Sequence, residues 1–156
     1  REILPISVAT SGLVNFLISI PIIFLFLLFS GIGFSWYILL LPLVILCQYI
    51  LSLGIIFITS AINVYIRDAE YIINFFVQML FYATPILYES SLFGDKAWIL
   101  SLNPMTTIIN SYRDILYSGV LPNMGLLFLV LIFSIVLLLI GIAVFRKLEK
   151  GFAEEV

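Results

Sequence analysis

Polar side chains recur along three apolar stretches of this sequence at a spacing of four or seven residues. The three sets are Ser7, Ser11, Asn15 and Ser19; Gln48, Ser52, Thr59 and Asn63; and Asn74, Gln78 and Tyr82. On a helix, such spacing places each set along one face. Between apolar helices, hydroxyl and amide groups either hydrogen-bond to neighbouring helices or line a hydrated conduit. The pattern alone leaves both interpretations open.

The chain lacks the side chains that covalent catalysis usually requires. The chain has no histidine, and its one cysteine, Cys47, lies in an apolar run. It offers no Ser-His or Cys-His pair, no cluster of metal ligands and no Gly-x-x-x-x-Gly-Lys-Ser/Thr phosphate loop. We therefore predict that this chain is not an enzyme and holds no metal or cofactor. A membrane-embedded transferase is a weaker alternative, because its acidic and basic groups would have to come from Glu89, Asp95, Lys96, Arg113 and Asp114.

The three sets of polar residues, which we call the polar stripes, lie on predicted membrane spans. Of 156 residues, 63% are hydrophobic and 10% are charged, and mean hydropathy is +1.26. A bilayer core of about 30 Å requires roughly 20 apolar residues as a helix, and four stretches have this character: residues 6–30, 36–62, 71–88 and 124–145. The sequence predicts an all-α fold, a polytopic transmembrane helical bundle forming a single domain over residues 1–156. The last span carries few polar residues, so we expect it to be the most lipid-exposed.

No charged residue falls at mid-membrane depth in these four spans. Ion-coupled transporters use such groups, so a transport function would take its energy from another chain. The net charge of −2 and the lack of a basic patch argue against nucleic acid as a partner.

The segment between the third and fourth spans predicts two short helices, at 93–100 and 104–118. Asn103 and Pro104 are typical of a helix start, and Gly119 of a helix end. The second helix has an apolar face formed by Met105, Ile108, Ile109, Tyr112, Ile115 and Leu116. We expect Thr106, Asn110, Arg113 and Asp114 to lie away from that face. The helices either dip into the membrane face or rest on the bilayer.

The basic residues predict orientation. With a cytoplasmic N-terminus, five lie inside and two outside: Arg1, Arg67, Arg146, Lys147 and Lys150 against Lys96 and Arg113. Both ends of this chain are therefore expected to be cytoplasmic. Because the chain begins at Arg1, we expect it to be part of a longer protein.

Several short segments together resemble a known family. They are residues 60–68 (SAINVYIRD), 83–88 (ATPILY), 102–106 (LNPMT) and 112–114 (YRD), with the opening REILP and the ending FRKLEKGFA. In this order along the chain they resemble the ABC-2 type permeases, the membrane subunits of O-antigen and teichoic-acid exporters. The resemblance implies six spans in the whole subunit, of which this chain covers the third to the sixth.

The resemblance also implies a function. It is ATP-driven export of a lipid-linked polysaccharide across the cytoplasmic (inner) membrane, with a drug or small lipid as the alternative cargo of an ABC-2 permease. The implied partners are a separate ATP-binding cassette subunit, which binds the ATP and magnesium, a second copy of the permease in a homodimer, the lipid-linked glycan and membrane lipid.

Three groups of residues follow as candidate sites. The outer gate would contain Asn103, Pro104, Asn110, Tyr112, Arg113 and Asp114, and the loop that couples to the ATPase would contain Asn63, Tyr65, Arg67, Asp68 and Glu70. Aromatic and amide side chains can pack on and bond to sugars, so the substrate pathway is assigned to Tyr49, Asn74, Phe76, Gln78, Phe81 and Tyr82. For each aromatic residue, ordinary helix packing is the alternative.

Overall fold

The computed structural model describes residues 2–66, 68–86, 100 and 102–149, with residues 64, 65 and 149 described by their backbone only. Its helices are α1 (Ile3–Phe29), a short 3-10 helix (Trp36–Leu40), α2 (Leu41–Tyr65), α3 (Ala69–Ala83), α4 (Pro104–Arg113), a π-helical turn (Asp114–Ser118) and α5 (Met124–Glu149). The described part contains no strand, and the predicted all-α class is confirmed.

Three helical stretches are long and apolar enough to cross a membrane: Ile3–Phe29, Trp36–Asn63 and Met124–Leu148. They correspond to the first, second and fourth predicted spans. The third predicted span, 71–88, is helical as α3, but this helix has 15 residues and is therefore only about 22 Å long. Residues 87 and 88 lie outside the described part, so the count of four spans stays a prediction.

The closest helix packing joins α2 to α5 through two glycines. A Cβ added to Gly141 would lie 2.9 Å from the carbonyl oxygen of Gly54, and one added to Gly54 would lie 3.0 Å from the backbone nitrogen of Leu138. Small residues allow two membrane helices to approach this closely. The last span is therefore well packed within the chain, and the expectation that it is the most exposed span is wrong. The more exposed span is α1, which buries only Pro5 and Ala9.

The bundle has two distinct ends. At one end, which we call the α4 end, the first turns of α2 and α5 pack with α4 in a cluster that includes Leu41, Ile108 and Leu127. At the other, the Glu2 end, the Nε of Arg146 lies 2.7 Å from the Oε1 of Glu2. Since α2 starts at the α4 end, its junction with α3 lies at the Glu2 end, and α3 runs back toward α4.

Candidate functional site

The helix α4 begins and ends where the sequence predicts. The Asn103 side chain accepts a hydrogen bond from the backbone nitrogen of Met105 at 3.0 Å, and Pro104 occupies the first turn. After Arg113 the helix continues as the π-helical turn and stops at Gly119, whose φ of 62° lies in the left-handed region. Glycine adopts this conformation without the steric penalty of a side chain. The chain is thus helical over 104–118, the range that the sequence predicts, with a π-helical finish.

A hydrogen bond fixes how deeply α4 enters the bundle. The Tyr112 hydroxyl donates to Gln48 Oε1 at 2.7 Å, and the Tyr112 ring lies 5.5 Å from that of Phe16 on α1. Gln48 stands seven residues after Leu41, the first residue of α2, which is about 10 Å along the helix. The sequence leaves open whether this helix dips into the membrane face or rests on the bilayer. In the structure, α4 dips between the spans.

Burial affects two titratable groups of this region. It raises the pKa of Tyr112, so the phenol stays protonated and remains a donor to Gln48. Burial also raises the pKa of Asp114, while the positive charge of Arg113 acts in the opposite direction.

Two side chains of the α4 region hold the end of α3. The Asn103 Nδ2 donates to Thr84 Oγ1 at 2.9 Å, and the Arg113 Nη2 donates to the carbonyl oxygen of Pro85 at 2.9 Å. The exposed fraction of Thr84 is only 3%, and its hydroxyl also donates to the Leu80 carbonyl at 2.6 Å. We call Asn103, Arg113, Thr84 and Pro85 the clasp. Irregular backbone at membrane depth is stable only where protein or water satisfies its polar groups, and the clasp does so here.

The clasp also explains why three of the short sequence segments go together. Thr84 and Pro85 come from ATPILY, Asn103 from LNPMT and Arg113 from YRD. These residues lie far apart along the chain, and folding brings them into contact.

The helix α4 is enclosed on more than its apolar side. Ile108 is buried as predicted, but Thr106 is also buried, with an exposed fraction of 2%. Its hydroxyl has no hydrogen-bond partner in the described part of the chain. Ser111, which is equally buried, donates to the Thr107 carbonyl at 2.8 Å. The sequence places Thr106 away from the apolar face, and the side chain is nevertheless buried, because α4 is inserted between helices rather than resting on one surface. Asn110 is half-buried.

The predicted pathway residues lie in two separate places. The Tyr49 hydroxyl is 3.0 Å from the Thr10 hydroxyl and joins α2 to α1. The other five, Asn74, Phe76, Gln78, Phe81 and Tyr82, all lie on α3 and are exposed. The Phe81 and Tyr82 rings meet edge to face at 5.5 Å. Tyr49 contacts α1 whereas the other five residues stand on α3, so a pathway shared by these six residues stays a prediction.

The predicted coupling loop is only partly described. Asn63, Asp68 and Glu70 are exposed at the Glu2 end. Glu70 stands in the first turn of α3, where a negative charge interacts favourably with the helix dipole. Arg67 and the side chain of Tyr65 fall outside the described part, as does the predicted helix 93–100 apart from its last residue.

Sequence reasoning missed the ion pair between Glu2 and Arg146. It assigned Gln48 to a polar stripe but did not predict its bond to Tyr112. Since the two partners in each contact stand 144 and 64 residues apart, no local pattern pairs them. No group of His, Cys, Asp or Glu suited to a metal ion occurs among the described residues.

A helical bundle with three membrane-length helices and a helix dipping between them defines an integral membrane protein. A family model described as ABC-2 type transporter matches residues 2–117, and the chain belongs to this family. It is 34% identical over 158 residues to the O-antigen export system permease protein RfbA of Myxococcus xanthus, covering 99% of this chain and 61% of that protein. Two Klebsiella pneumoniae proteins of the same name are each 34% identical over 157 residues, covering 99% of this chain and 60% of each relative. The chain thus spans about 60% of the length of these relatives.

Proposed function

We propose that this chain forms part of the permease subunit of an ABC exporter that moves a lipid-linked polysaccharide of the O-antigen kind across the cytoplasmic membrane. The observation that carries the proposal is the 34% identity to O-antigen export permeases over 99% of the chain. The absence of charged residues from the middle of the spans favours an energy source on another subunit. ATP and magnesium would then bind to a separate ATPase.

In this proposal the α4 end faces outward and the Glu2 end faces the cytoplasm. The basic residues favour this orientation, since Arg146 and Lys147 stand in the last turn of α5 at the Glu2 end. Asp68 and Glu70, exposed at the same end, are then available to contact the ATPase. The exposed aromatic residues of α3 are available to a second copy of the permease and to the glycan that passes between the two copies.

The α4 helix would act as the outer gate. It is tied to α3 by the clasp and to α2 by the bond between Tyr112 and Gln48. Side-chain hydrogen bonds of this kind can exchange with water, so α4 can shift as a unit without unfolding.

The cargo is tested by reconstituting the full-length permease with its ATPase in liposomes that contain a labelled lipid-linked O-polysaccharide. We expect ATP-dependent transfer of the glycan to the opposite leaflet, and no transfer when a non-hydrolysable ATP analogue replaces ATP. Transfer of a fluorescent drug or short-chain lipid, without transfer of the glycan, would refute the proposed cargo.

The gate is tested with Thr84→Cys and Asn103→Cys together, in a Cys47→Ser background. Oxidation would lock the end of α3 to the start of α4, because the two native side chains are in hydrogen-bond contact. We expect export to stop on oxidation and to return on reduction, while ATP binding is unchanged. Full export by a completely oxidised protein would show that export does not require the clasp to open, and would refute the gate.

A further inference from the structure

A pocket of about 350 Å³ lies between α1 and α2, away from α3 and from the clasp. Ala9 and Gly12 form part of its α1 side, and Gln48, Tyr49 and Ser52 form part of its α2 side. A Cβ added to Gly12 would meet no atom within 4 Å. The missing side chain of Gly12 therefore leaves open space rather than allowing a close helix contact.

The pocket lies at hydrocarbon depth. Gln48 and Ser52 stand seven and eleven residues after the first residue of α2, or about 10 and 16 Å along the helix axis. That depth falls inside a bilayer core of about 30 Å. No charged residue is among the lining residues.

Two polar groups on the α2 side lack protein partners in the described part of the chain. Gln48 Oε1 accepts from Tyr112, but the Gln48 amide nitrogen donates to no described residue, and the Ser52 hydroxyl makes no hydrogen bond there. An amide or hydroxyl placed against hydrocarbon without a hydrogen bond is unfavourable. A polar, roomy pocket is where buried water is stable, and one water takes only about 30 Å³ of liquid volume.

We propose that this pocket is a hydrated site within the membrane, in which water bonds to Gln48 and Ser52 and replaces the Tyr112 hydroxyl on Gln48 when α4 moves. The last part of this inference rests on the proposed gate; the hydration of the pocket does not. Because Gln48 faces both the pocket and α4, water next to it offers a substitute partner at the moment the bond to Tyr112 breaks. The site therefore lowers the barrier to withdrawing α4.

The test measures water access by thiol chemistry in the full permease with its ATPase in membranes. Ser52→Cys, in a Cys47→Ser background, is treated with a small water-soluble methanethiosulfonate reagent. The matched control is Ile55→Cys, less than one turn further along α2, where the side chain is 40% exposed outside the pocket. Only the thiolate reacts rapidly, and it forms where water is present.

We expect Ser52→Cys to react at least about tenfold faster than Ile55→Cys, since thiolate formation requires hydration. Adding Gly12→Leu should fill the pocket and slow Ser52→Cys by a similar factor, without changing Ile55→Cys. Gly12→Ala, which leaves most of the space, should slow it much less. Equal rates at the two positions, or no protection by Gly12→Leu, would overturn the hydrated site.

A separate experiment tests the link between the pocket and α4. Tyr112→Phe removes the hydroxyl from Gln48, so water should replace it and raise the reaction rate of Ser52→Cys several-fold. An unchanged rate would overturn the link. None of these reaction rates depends on which cargo is exported. A failed glycan-transfer experiment would therefore refute the proposed function, whereas slow reaction of Ser52→Cys would refute the hydrated site.

Discussion

The glycine contact between α2 and α5 makes a sharp prediction for Gly141→Ala. The new methyl group would lie 2.9 Å from the Gly54 carbonyl oxygen and 3.1 Å from Cβ of Phe57. The first distance is shorter than real Cβ contacts and the second is tighter than most of them, and neither neighbour is the end of a flexible side chain that could turn away. The two helices must therefore separate, and overpacking of this kind costs about 1–3 kcal/mol.

The matched control is Gly12→Ala on α1. Its added methyl group meets nothing within 4 Å, so only the intrinsic gain in helix propensity remains, up to about 1 kcal/mol. Gly141→Ala gains the same propensity but loses packing. The difference between the two variants in the free energy of unfolding therefore isolates the packing cost, and we expect Gly141→Ala to be less stable by about 1–3 kcal/mol.

The assay is equilibrium unfolding of the purified subunit by increasing SDS in a lipid–detergent mixture, followed by helical circular dichroism. Both variants are measured beside the native protein under identical lipid conditions. If the two Gly→Ala variants agree within about 0.5 kcal/mol, the scatter typical of neutral surface changes, then α2 and α5 do not pack as closely as the two glycines imply.

Four further predictions concern polar and charged side chains. Arg113→Met should leave the carbonyl at the end of α3 without its donor, weaken the local closed state by about 1–3 kcal/mol and speed amide hydrogen exchange in α4; unchanged exchange would contradict this. Glu2→Arg combined with Arg146→Glu should restore the thermal stability that either change alone removes, and two additive losses would show that the pair is not coupled. The hydrogen bond from Arg146 lowers the pKa of Glu2 in the folded protein. The ion pair therefore stabilises the fold above the pKa that Glu2 has in the unfolded chain, and this stabilisation is lost as pH falls through the folded-state pKa of Glu2. Glu2→Gln should abolish this pH dependence of thermal stability. Reversing Arg67 and Asp68 together should uncouple ATP hydrolysis from export in an inserted protein, whereas normal export would exclude this loop from coupling.

Sequence reasoning succeeded where the signal is local. An amide side chain followed by proline predicts the start of α4, because the Asn103 side chain can reach the second backbone nitrogen of the helix. Gly119 predicts the end because the left-handed conformation there favours glycine. The apolar stretches predict the long helices because a helix satisfies its backbone hydrogen bonds within one continuous segment inside a bilayer.

It failed where a contact depends on how distant elements meet. Asn103 and Thr84 are 19 residues apart, and Arg113 and Pro85 are 28 apart, so their pairing depends on the way α3 and α4 return to one place. The burial of Thr106 has the same origin, because the sequence shows the polar side of α4 but not the helices around it. The few polar residues of α5 predict an exposed helix, whereas its packing comes from the absence of a side chain at Gly141.

The shortness of α3 explains why α4 and the end of α3 depend on each other. A helix of 15 residues reaches only about 22 Å. The polar groups just past its end, the Thr84 hydroxyl and the Pro85 carbonyl, therefore lie within the hydrocarbon and need donors from another element. Arg113 and Asn103 supply them, and these donors reach that depth only because α4 dips between the spans. Moving α4 outward would therefore leave the end of α3 facing hydrocarbon, which is unfavourable unless water or the hydroxyl groups of a passing glycan take over the bonds. In the proposed exporter, opening the clasp and admitting a polar cargo are for this reason one event, and an apolar cargo would not favour the open state.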